Sequence, residues 1–352
     1  MQRYVGGDAR LPGARAAAGR SGSRRWTLAL VAAGFLAACG PGQAPVPFGQ
    51  DPPGNRESAA SERDEPGVER AADPAPLTIT VLRVSSVAGG GDAVLVADSA
   101  AAPPRHVLID AGDDGAAARA LREAGIRSLD LLVLTHAHHD HYGGMDEVLD
   151  AVRVRAFAFN GQVRSAVTYR RLLEQVEREV PVVIVVDSVR RVRLGEGEHA
   201  TTLTLIPPLP THLGEDTNHG ERLNEGSLAV RVERGGFSFL TTGDAEHAAN
   251  RRFAAKFPAL VDVDVLKLGH HGSTDATDRA WLAATTPEAA IVSANGTTHP
   301  HASVLALVKE LGIPVYCTPQ HGAVRIRVAP DGAYRIATEL PAGRECAPGR
   351  SR

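Results

Sequence analysis

The stretch LTHAHHDHYGG at residues 134–144 constrains this chain more than any other part of it. Five of the six positions from His136 to His141 carry ionisable side chains, and two glycines follow. Histidine and aspartate are poor material for a strand or an apolar core, because burying an unpaired polar group is costly. Neighbouring histidines that lack a partner also gain little from being clustered. The stretch therefore predicts that the fold gathers these side chains around metal ions.

The residues before this stretch place it in a fold. Residues 129–134, LDLLVL, form a continuous apolar run, as expected for a strand that is covered on both faces. Ligands of α/β sheets gather at the carboxyl ends of such strands. His136 and His138 are two positions apart and project the same way, and Asp140 and His141 reach back from the next turn. They make two half-complete metal shells that suit Zn²⁺, with Mn²⁺ or Fe as alternatives.

The rest of the regular region predicts the fold class. From Leu77 onwards, short β-branched runs bounded by turns alternate with segments of helical spacing. This alternation indicates sheets covered by helices, and therefore an α/β fold. The formal net charge of −3 excludes a global basic field that would attract nucleic acid or anionic lipid.

Residues 1–38 have the order of an export signal. An arginine-rich start precedes the apolar run WTLALVAAGFLAA and small residues before Cys39. The run is too short to cross a bilayer as a mature helix. Leu36-Ala-Ala-Cys39 resembles the lipobox of bacterial lipoproteins, in which the cysteine is lipidated. Residues 39–75 are rich in Pro, Gly, Ser and charge and would form a flexible tether. We therefore expect an exported protein on the periplasmic or extracytoplasmic face, held to the membrane by its lipid anchor only.

The export signal also bears on the other two cysteines. Ordinary secretion, or the twin-arginine route suggested by Arg24-Arg25, would bring the chain into an oxidising compartment. Cys317 and Cys346 could form a disulfide there. From the sequence, a disulfide and two separate thiols both remain open.

Several motifs occur in the order found in the metallo-β-lactamase superfamily. His136-Ala-His-His-Asp-His141 matches its HxHxDH motif, and Thr242-Gly-Asp244 is similar to its bridging-carboxylate motif. Leu266-Lys-Leu-Gly-His-His-Gly-Ser273 resembles the last histidine motif of one branch, typified by the hydrolase domain of the DNA-uptake protein ComEC. Leu108-Ile-Asp-Ala-Gly112 is similar to the superfamily's early Asp-Gly turn, and Asn224-Glu-Gly-Ser227, Ser293 and His299-Pro300 are further matches to this branch. The branch's Val-Gly-Gln-Gly-Asp-Ala turn is longer here, at residues 84–93, and lacks the glutamine.

This resemblance implies an αββα sandwich with two divalent metal ions. The hydrolase domain would span residues 76–340 and be followed by a C-terminal tail, residues 341–352. His136 and His138 would hold the first ion, Asp140 and His141 the second, and Asp244 would bridge both. One of the neighbours His270 and His271 should complete the second shell. We expect His270, because it ends the predicted strand VDVDVLKLG and faces the sheet edge, and we keep His271 as the alternative.

The first shell has no clear last ligand. The superfamily often has a separate histidine between the HxHxDH motif and the bridging aspartate. Asn224 occupies the equivalent region of the branch here, and His219 lies close by in sequence. Asn224 or a water molecule would fill that place. Asp110 would orient a ligand instead of binding the metal itself.

The chemistry follows from this metal set. Two divalent ions about 3.5–4 Å apart can share a hydroxide and neutralise an anionic transition state. The predicted function is metal-dependent hydrolysis of phosphodiesters, nucleic acid included. Asp140 would orient the nucleophile, and His299 would donate a proton or contact the phosphate. The alternatives are hydrolysis of lactone or amide bonds, as in other branches, and a lipoprotein that binds a ligand without turnover.

Segment 151–195 is rich in arginine, with nine arginines in all. A salt-bridged surface helix explains these residues as well as a stripe that tracks phosphates does, and we expect the former.

Overall fold

The computed structural model describes residues 9–10, 77–84, 90–197, 200–208, 220–341 and 343–349. The predicted signal peptide, apart from Ala9 and Arg10, lies outside the described residues, as do the lipidation site Cys39 and the tether 39–75. These three stay predictions. Among the described helices, none has the length and hydropathy needed to cross a bilayer.

Strands and helices alternate along the described chain as the sequence predicts. The strands are β1 (Ala9–Arg10), β2 (Leu77–Val81), β3 (Val94–Asp98), β4 (Arg105–Ile109), β5 (Ser128–Leu129), β6 (Leu131–Leu134), β7 (Arg153–Val154), β8 (Ala156–Phe159), β9 (Val182–Val185), β10 (Arg190–Leu194), β11 (Thr201–Ile206), β12 (Ala229–Arg234), β13 (Phe237–Thr241), β14 (Val265–Lys267), β15 (Ala289–Val292), β16 (Val315–Cys317), β17 (Val324–Val328) and β18 (Tyr334–Thr338). The helices are α1 (Ala116–Glu123), α2 (His139–Tyr142), α3 (Met145–Ala151), α4 (Val167–Glu179), α5 (Gly220–Glu225), α6 (His247–Lys256), α7 (Pro258–Val261), α8 (Arg279–Thr285), α9 (Ala302–Glu310) and α10 (Thr318–His321).

Two large mixed sheets form the centre of the domain. Sheet I has the order β1-β10-β11-β12-β13-β14-β15-β16, and sheet II has the order β18-β17-β2-β3-β4-β6-β8-β9. The short strands β5 and β7 pair separately. Each large sheet contains four neighbouring parallel strands: β13 to β16 in sheet I, and β4, β6, β8 and β9 in sheet II. The carboxyl ends of parallel strands are where α/β folds place their sites.

The buried apolar residues form three clusters between the layers of the fold. The first cluster joins the inner faces of the two sheets, with Val94 and Val133 from sheet II and Val230 and Val265 from sheet I. A second cluster packs sheet II against α1, α3 and α4. A third packs sheet I against α6, α8 and α9. The layers therefore follow the order helix, sheet, sheet, helix, which confirms the predicted αββα sandwich.

The local sequence explains why β6 carries the site. All four residues of β6 are buried, because sheet II is covered by the helices on one face and by sheet I on the other. An apolar strand covered on both faces has no polar side chain of its own to offer. The first polar residues after β6 are therefore those of the histidine stretch, and they emerge at the strand's carboxyl end.

The C-terminal tail is fastened to the domain. Cys317, at the end of β16, forms a disulfide with Cys346. The His321 ring Nε2 donates a hydrogen bond to the Arg344 carbonyl (2.8 Å), and the Gly349 amide donates to the Pro300 carbonyl (2.8 Å). The tail thus lies against the segment that carries His299.

Candidate metal centre

The predicted metal ligands meet at the carboxyl ends of the parallel strands. The histidine stretch follows β6 of sheet II, and Asp244 follows β13 of sheet I. The two neighbouring histidines follow β14 in a short 3-10 turn, His270–Gly272. The structure brings together all five ligands expected from the first two motifs, which are His136, His138, Asp140, His141 and Asp244.

The first group consists of His136, His138 and Asp244, whose ligand atoms lie within 4.8 Å of one another. Nε2 of His136 lies 3.0 Å from Nδ1 of His138 and 3.7 Å from Oδ2 of Asp244. On the other side of the His136 ring, Nδ1 lies 3.1 Å from the Thr135 hydroxyl oxygen. That hydroxyl donates its proton to Asp110 (2.7 Å), so its oxygen accepts from the ring. Nε2 of His136 therefore keeps its lone pair for a ligand.

The second group consists of Asp140, His141, Asp244 and His271. Oδ2 of Asp244 lies 3.1 Å from Nε2 of His141 and 3.5 Å from Nε2 of His271. Nε2 of His271 also lies 3.3 Å from Oδ2 of Asp140. One oxygen of Asp244 thus belongs to both groups, which is the geometry of a bridging carboxylate.

Asp110 orients the second group from behind. Its backbone has a left-handed φ of 56°, and its Oδ1 accepts a hydrogen bond from the Thr135 amide (2.8 Å). Its Oδ2 lies 2.7 Å from Nδ1 of His141. A carboxylate can only accept at neutral pH, so Nδ1 of His141 carries the proton and Nε2 faces the cluster. Asp110 also forms a compact group with His141 and Asp92, but both of its oxygens already have partners within the protein.

The structure corrects the expectation for His270. β14 ends at Lys267, before the two histidines, and both histidines have left-handed backbones, with φ values of 46° and 55°. This turn aims His271 at the cluster, whereas Nδ1 of His270 lies 3.6 Å from Oε1 of Glu246. The alternation of a strand does not continue through two left-handed residues, so His271, the alternative, takes the place. Nδ1 of His271 donates to the Ser293 carbonyl (3.1 Å), which leaves Nε2 free.

Lys267, which the sequence did not identify as part of the site, supports His271 through Asp92. Lys267 is fully buried and forms an ion pair with Asp92, while its Nζ also donates to the Leu268 carbonyl (3.3 Å). Oδ1 of Asp92 lies 3.5 Å from Nδ1 of His271. A lysine inside an apolar strand needs a buried counter-charge, and this is the feature of the sequence that could have identified the pair.

The carboxylates and imidazoles of the cluster shift one another's pKa values. Burial would raise the pKa of Asp244, but the imidazoles of His141, His271 and His270 hold it well below its ordinary value. Burial would lower the pKa of His141, but the carboxylates of Asp244 and Asp110 raise it well above its ordinary value. Positive charge beside the carboxylates therefore stabilises the site. Metal binding can supply that charge by displacing protons from the imidazoles.

The donor set fits a metal ion. In the second ligand group, three buried atoms make no well-oriented hydrogen bond within the described residues, namely Nε2 of His141, Nε2 of His271 and Oδ1 of Asp244. Leaving buried polar atoms without partners is costly, so their convergence points to a ligand. Imidazole nitrogens combined with carboxylate oxygens are donors for Zn²⁺ and also for Mn²⁺ or Fe.

The first group has no further histidine among the described residues. Asn224 is 4% exposed, and its Nδ2 donates to Oε1 of Glu246 (2.7 Å). Its Oδ1 has no hydrogen-bond partner in the described part of the chain. His219 lies outside the described residues.

His299 lies beside the metal groups. Its ring stacks on His270 at 5.7 Å between centroids and stands edge-on to His271 at 6.0 Å. Burial, followed by the neighbouring imidazoles of His271 and His270, lowers the pKa of His299 to about 4. The ring is therefore neutral at neutral pH, where its N–H can donate a hydrogen bond.

This architecture and site agree with a family comparison. Residues 86–296 match the model of the Metallo-beta-lactamase superfamily. The match covers more than half of the 352-residue chain and includes all three motifs that provide the clustered ligands. The chain belongs to this superfamily of hydrolases, which are generally metal-dependent.

Two relatives, both of the ComEC family, are similar to this chain over part of their length. ComE operon protein 3 of Bacillus subtilis (strain 168) is 30% identical over 210 residues, which cover 59% of this chain and 26% of that protein. Competence protein ComA of Neisseria gonorrhoeae is 30% identical over 252 residues, covering 70% of this chain and 32% of that protein. This chain thus spans about a third or less of the length of each relative.

Solved structures give weaker similarity. CmlA, a diiron beta-hydroxylase from Streptomyces venezuelae, has a TM-score of 0.47 at 15% identity, covering 73% of this chain and 55% of that one. A diphosphatase from the PhnP family has a TM-score of 0.40 at 15% identity, covering 75% and 100%.

Proposed function

We propose that this protein is a phosphodiesterase that uses two divalent cations and acts on nucleic acid. The observation that carries the proposal is the position of Oδ2 of Asp244. This one oxygen lies 3.1–3.7 Å from imidazole nitrogens of both ligand groups. A carboxylate in that position can serve two cations at once, as two-metal hydrolases require.

The ligand groups divide the cations between them. His136, His138 and Asp244 would hold one cation, and Asp140, His141, His271 and Asp244 would hold the other. When bound, such a pair lowers the pKa of water and stabilises the negative charge of the transition state. Zn²⁺ is the expected ion from the donor set, with Mn²⁺ and Fe as alternatives.

The protein's own groups would orient the reactants. The Asp140 side chain is 16% exposed and lies at the open side of the second group. Burial opposes its ionisation, but His271 and His141 keep the pKa of Asp140 below its ordinary value, so its carboxylate can accept a hydrogen bond from the attacking water. The neutral ring of His299 would donate its N–H to a phosphate oxygen or to the leaving group.

Two lines of support favour phosphodiesters over neutral substrates. The non-bridging oxygens of a phosphodiester are anionic and suit a site that binds two cations. The motifs resemble those of the branch that is typified by the hydrolase domain of a DNA-uptake protein, and the two relatives, each 30% identical to this chain, support that resemblance.

We also propose that the enzyme is exported and tethered to a membrane through Cys39. The Cys317–Cys346 disulfide supports this location, because such bonds persist in oxidising compartments. Replacement of Cys39 by alanine should release the protein from the membrane fraction, and retention of that variant in the membrane would contradict the anchor.

The activity is tested on protein that has been stripped with a chelator and then resupplied with Zn²⁺ or Mn²⁺. The substrates are bis-p-nitrophenyl phosphate, single- and double-stranded DNA, and a chromogenic β-lactam. We expect phosphodiester turnover that depends on the metal and is lost in Asp140→Ala. His139→Ala is the matched control, because His139 precedes Asp140 but its side chain is 55% exposed and lies outside both ligand groups. Turnover of the β-lactam alone, or an unchanged rate in Asp140→Ala, would overturn the proposal.

A further inference from the structure

A third parallel strand of sheet II also ends at the metal centre. After β8, the chain passes through residues 160–166 before α4 begins. The Asn160 side chain is buried and donates to the Gly226 carbonyl (2.7 Å). Gln162 is also buried, and its Oε1 accepts from the Ala137 amide (3.1 Å) while its Nε2 donates to the Leu223 carbonyl (3.0 Å). The bond from Ala137 holds the segment against the histidine stretch, and the other two hold it against residues 223–226.

Arg164 extends from this locked segment toward the metal ligands. Its guanidinium donates to the Ala137 carbonyl (2.7 Å), and Ala137 is the residue between His136 and His138. The Arg164 side chain is half-buried. A fixed positive charge therefore lies directly beside the first ligand group.

Arg164 has no acidic partner among the described residues. Other arginines of segment 151–195 do: Arg155 pairs with Asp130 (3.2 Å), Arg178 with Glu179 (3.0 Å) and Arg190 with Asp187 (2.8 Å). The expected salt-bridged surface therefore accounts for part of the segment only. Since a guanidinium has five N–H donors, the one bond to Ala137 leaves most of those of Arg164 for an anion.

The surface around Arg164 suits a nucleotide. Val163 is 50% exposed and Val167 is 52% exposed, and they are the two most exposed large apolar side chains described. Arg170 and Arg171 follow on the exposed side of α4, and no ion pair holds them within the described residues. Exposed apolar groups beside unpaired cations match the apolar and anionic parts of a polynucleotide.

We infer that Arg164 binds the phosphate that neighbours the scissile one in a polynucleotide. This inference rests on the proposed phosphodiesterase activity and deepens it, because it makes the enzyme prefer a polymer to an isolated phosphodiester. Arg164 fixes the register of the strand on the enzyme, while the metal ligands act on the next linkage. Phosphate contacts of this kind position the chain without reading its sequence.

Binding is tested apart from turnover, with the full chain in excess chelator. The probe is a fluorescein-labelled oligothymidylate of about a dozen nucleotides, followed by anisotropy over a range of salt concentrations. We expect Arg164→Gln to weaken binding about tenfold at low salt, as expected for loss of hydrogen bonds to a charged group. The slope of log K against log salt should become less steep by about 0.7, which is the contribution of one phosphate contact in a single strand.

Two further variants make the binding result specific. Arg178→Gln also removes one positive charge, but from the last turn of α4, whereas Arg164 lies just before the first turn. The helix is about 20 Å long by its 13 residues, so this variant should bind like wild type. Arg164→Lys keeps the charge and should retain the salt slope while losing part of the affinity. An unchanged slope in Arg164→Gln, or an equal loss in Arg178→Gln, would overturn the inference.

Kinetics separates this inference from the proposed function. Arg164→Gln should raise KM for the oligonucleotide about tenfold and change kcat/KM for bis-p-nitrophenyl phosphate less than about twofold, since that compound has no second phosphate. Equal losses on both substrates would overturn the role of Arg164. If wild type hydrolyses no phosphodiester, the proposed function fails, and the anisotropy still decides whether Arg164 binds a polynucleotide.

Discussion

Lys267→Met tests how strongly the buried ion pair behind the metal centre supports the fold. The substitution keeps a long side chain in β14 but removes the charge that faces Asp92. Lys267 is 0% exposed and Asp92 is 1% exposed, so solvent cannot take over the lost partner. Burial alone would raise the pKa of Asp92, yet Lys267, followed by His271, lowers it from 3.8 to about 2.

The size of the effect follows from this shift and from the burial. A lowering of about two pKa units corresponds to about 2–3 kcal/mol. Removal of one member of a buried ion pair costs about 3–5 kcal/mol. We expect Lys267→Met to lower the free energy of unfolding by about 3 kcal/mol. Because the pKa of Asp92 is lower in the folded protein than in the unfolded chain, the contribution is present above about pH 4 and is lost as the pH falls through about 2.

The assay is urea denaturation at neutral pH in excess chelator. The variants are Lys267→Met, Asp92→Leu and the double substitution, with Lys309→Met as the control on the exposed side of α9. The double variant should be more stable than either single variant, since it leaves no unpaired buried charge. The control should stay within about 0.5 kcal/mol of wild type. A Lys267→Met cost equal to that of the control, or a double variant that simply adds the two single losses, would refute the reasoning.

Three more predictions concern the ligand cluster and the disulfide. His271→Ala should lower the metal content, measured by plasma mass spectrometry, to about one ion per chain, and His270→Ala should leave it unchanged. The reverse result would identify His270 as the ligand. Asp110→Asn should weaken metal affinity about 10–100-fold in competition with a chelating dye, because it orients a ligand imidazole, and equal affinity would contradict that role. Joint replacement of Cys317 and Cys346 by serine should lower the free energy of unfolding by about 3–4 kcal/mol, given a sequence separation of 29. Equal urea midpoints would show that the bridge does not stabilise the fold.

The parts of the site that could be predicted are local in sequence. The histidine stretch follows an apolar strand directly, so the spacing of its side chains already places four of them at one sheet edge. Asp244 could be placed for the same reason, because it follows β13 by three residues. The layer order could also be predicted, since strands covered on both faces alternate with amphipathic helices.

The parts that could not be predicted depend on backbone turns and distant partners. The choice between His270 and His271 depends on where β14 ends and on two left-handed residues, and neither is visible in the apolar pattern. Lys267 and Gln162 act through partners that are remote along the chain. Gly226 is an example of such a distant partner, because a side chain there would collide with the amide of Gln162, which holds residues 160–166 in place.

The central claim is that one carboxylate, Asp244, joins two metal-binding groups. The most direct test is the metal content of purified protein after incubation with Zn²⁺ and removal of unbound ions, with wild type compared with Asp244→Ala. The account predicts about two ions per wild-type chain and loss from both groups in the variant, with both proteins folded by circular dichroism. A folded wild-type chain that takes up no divalent ion, or an Asp244→Ala chain that still holds two, would contradict it.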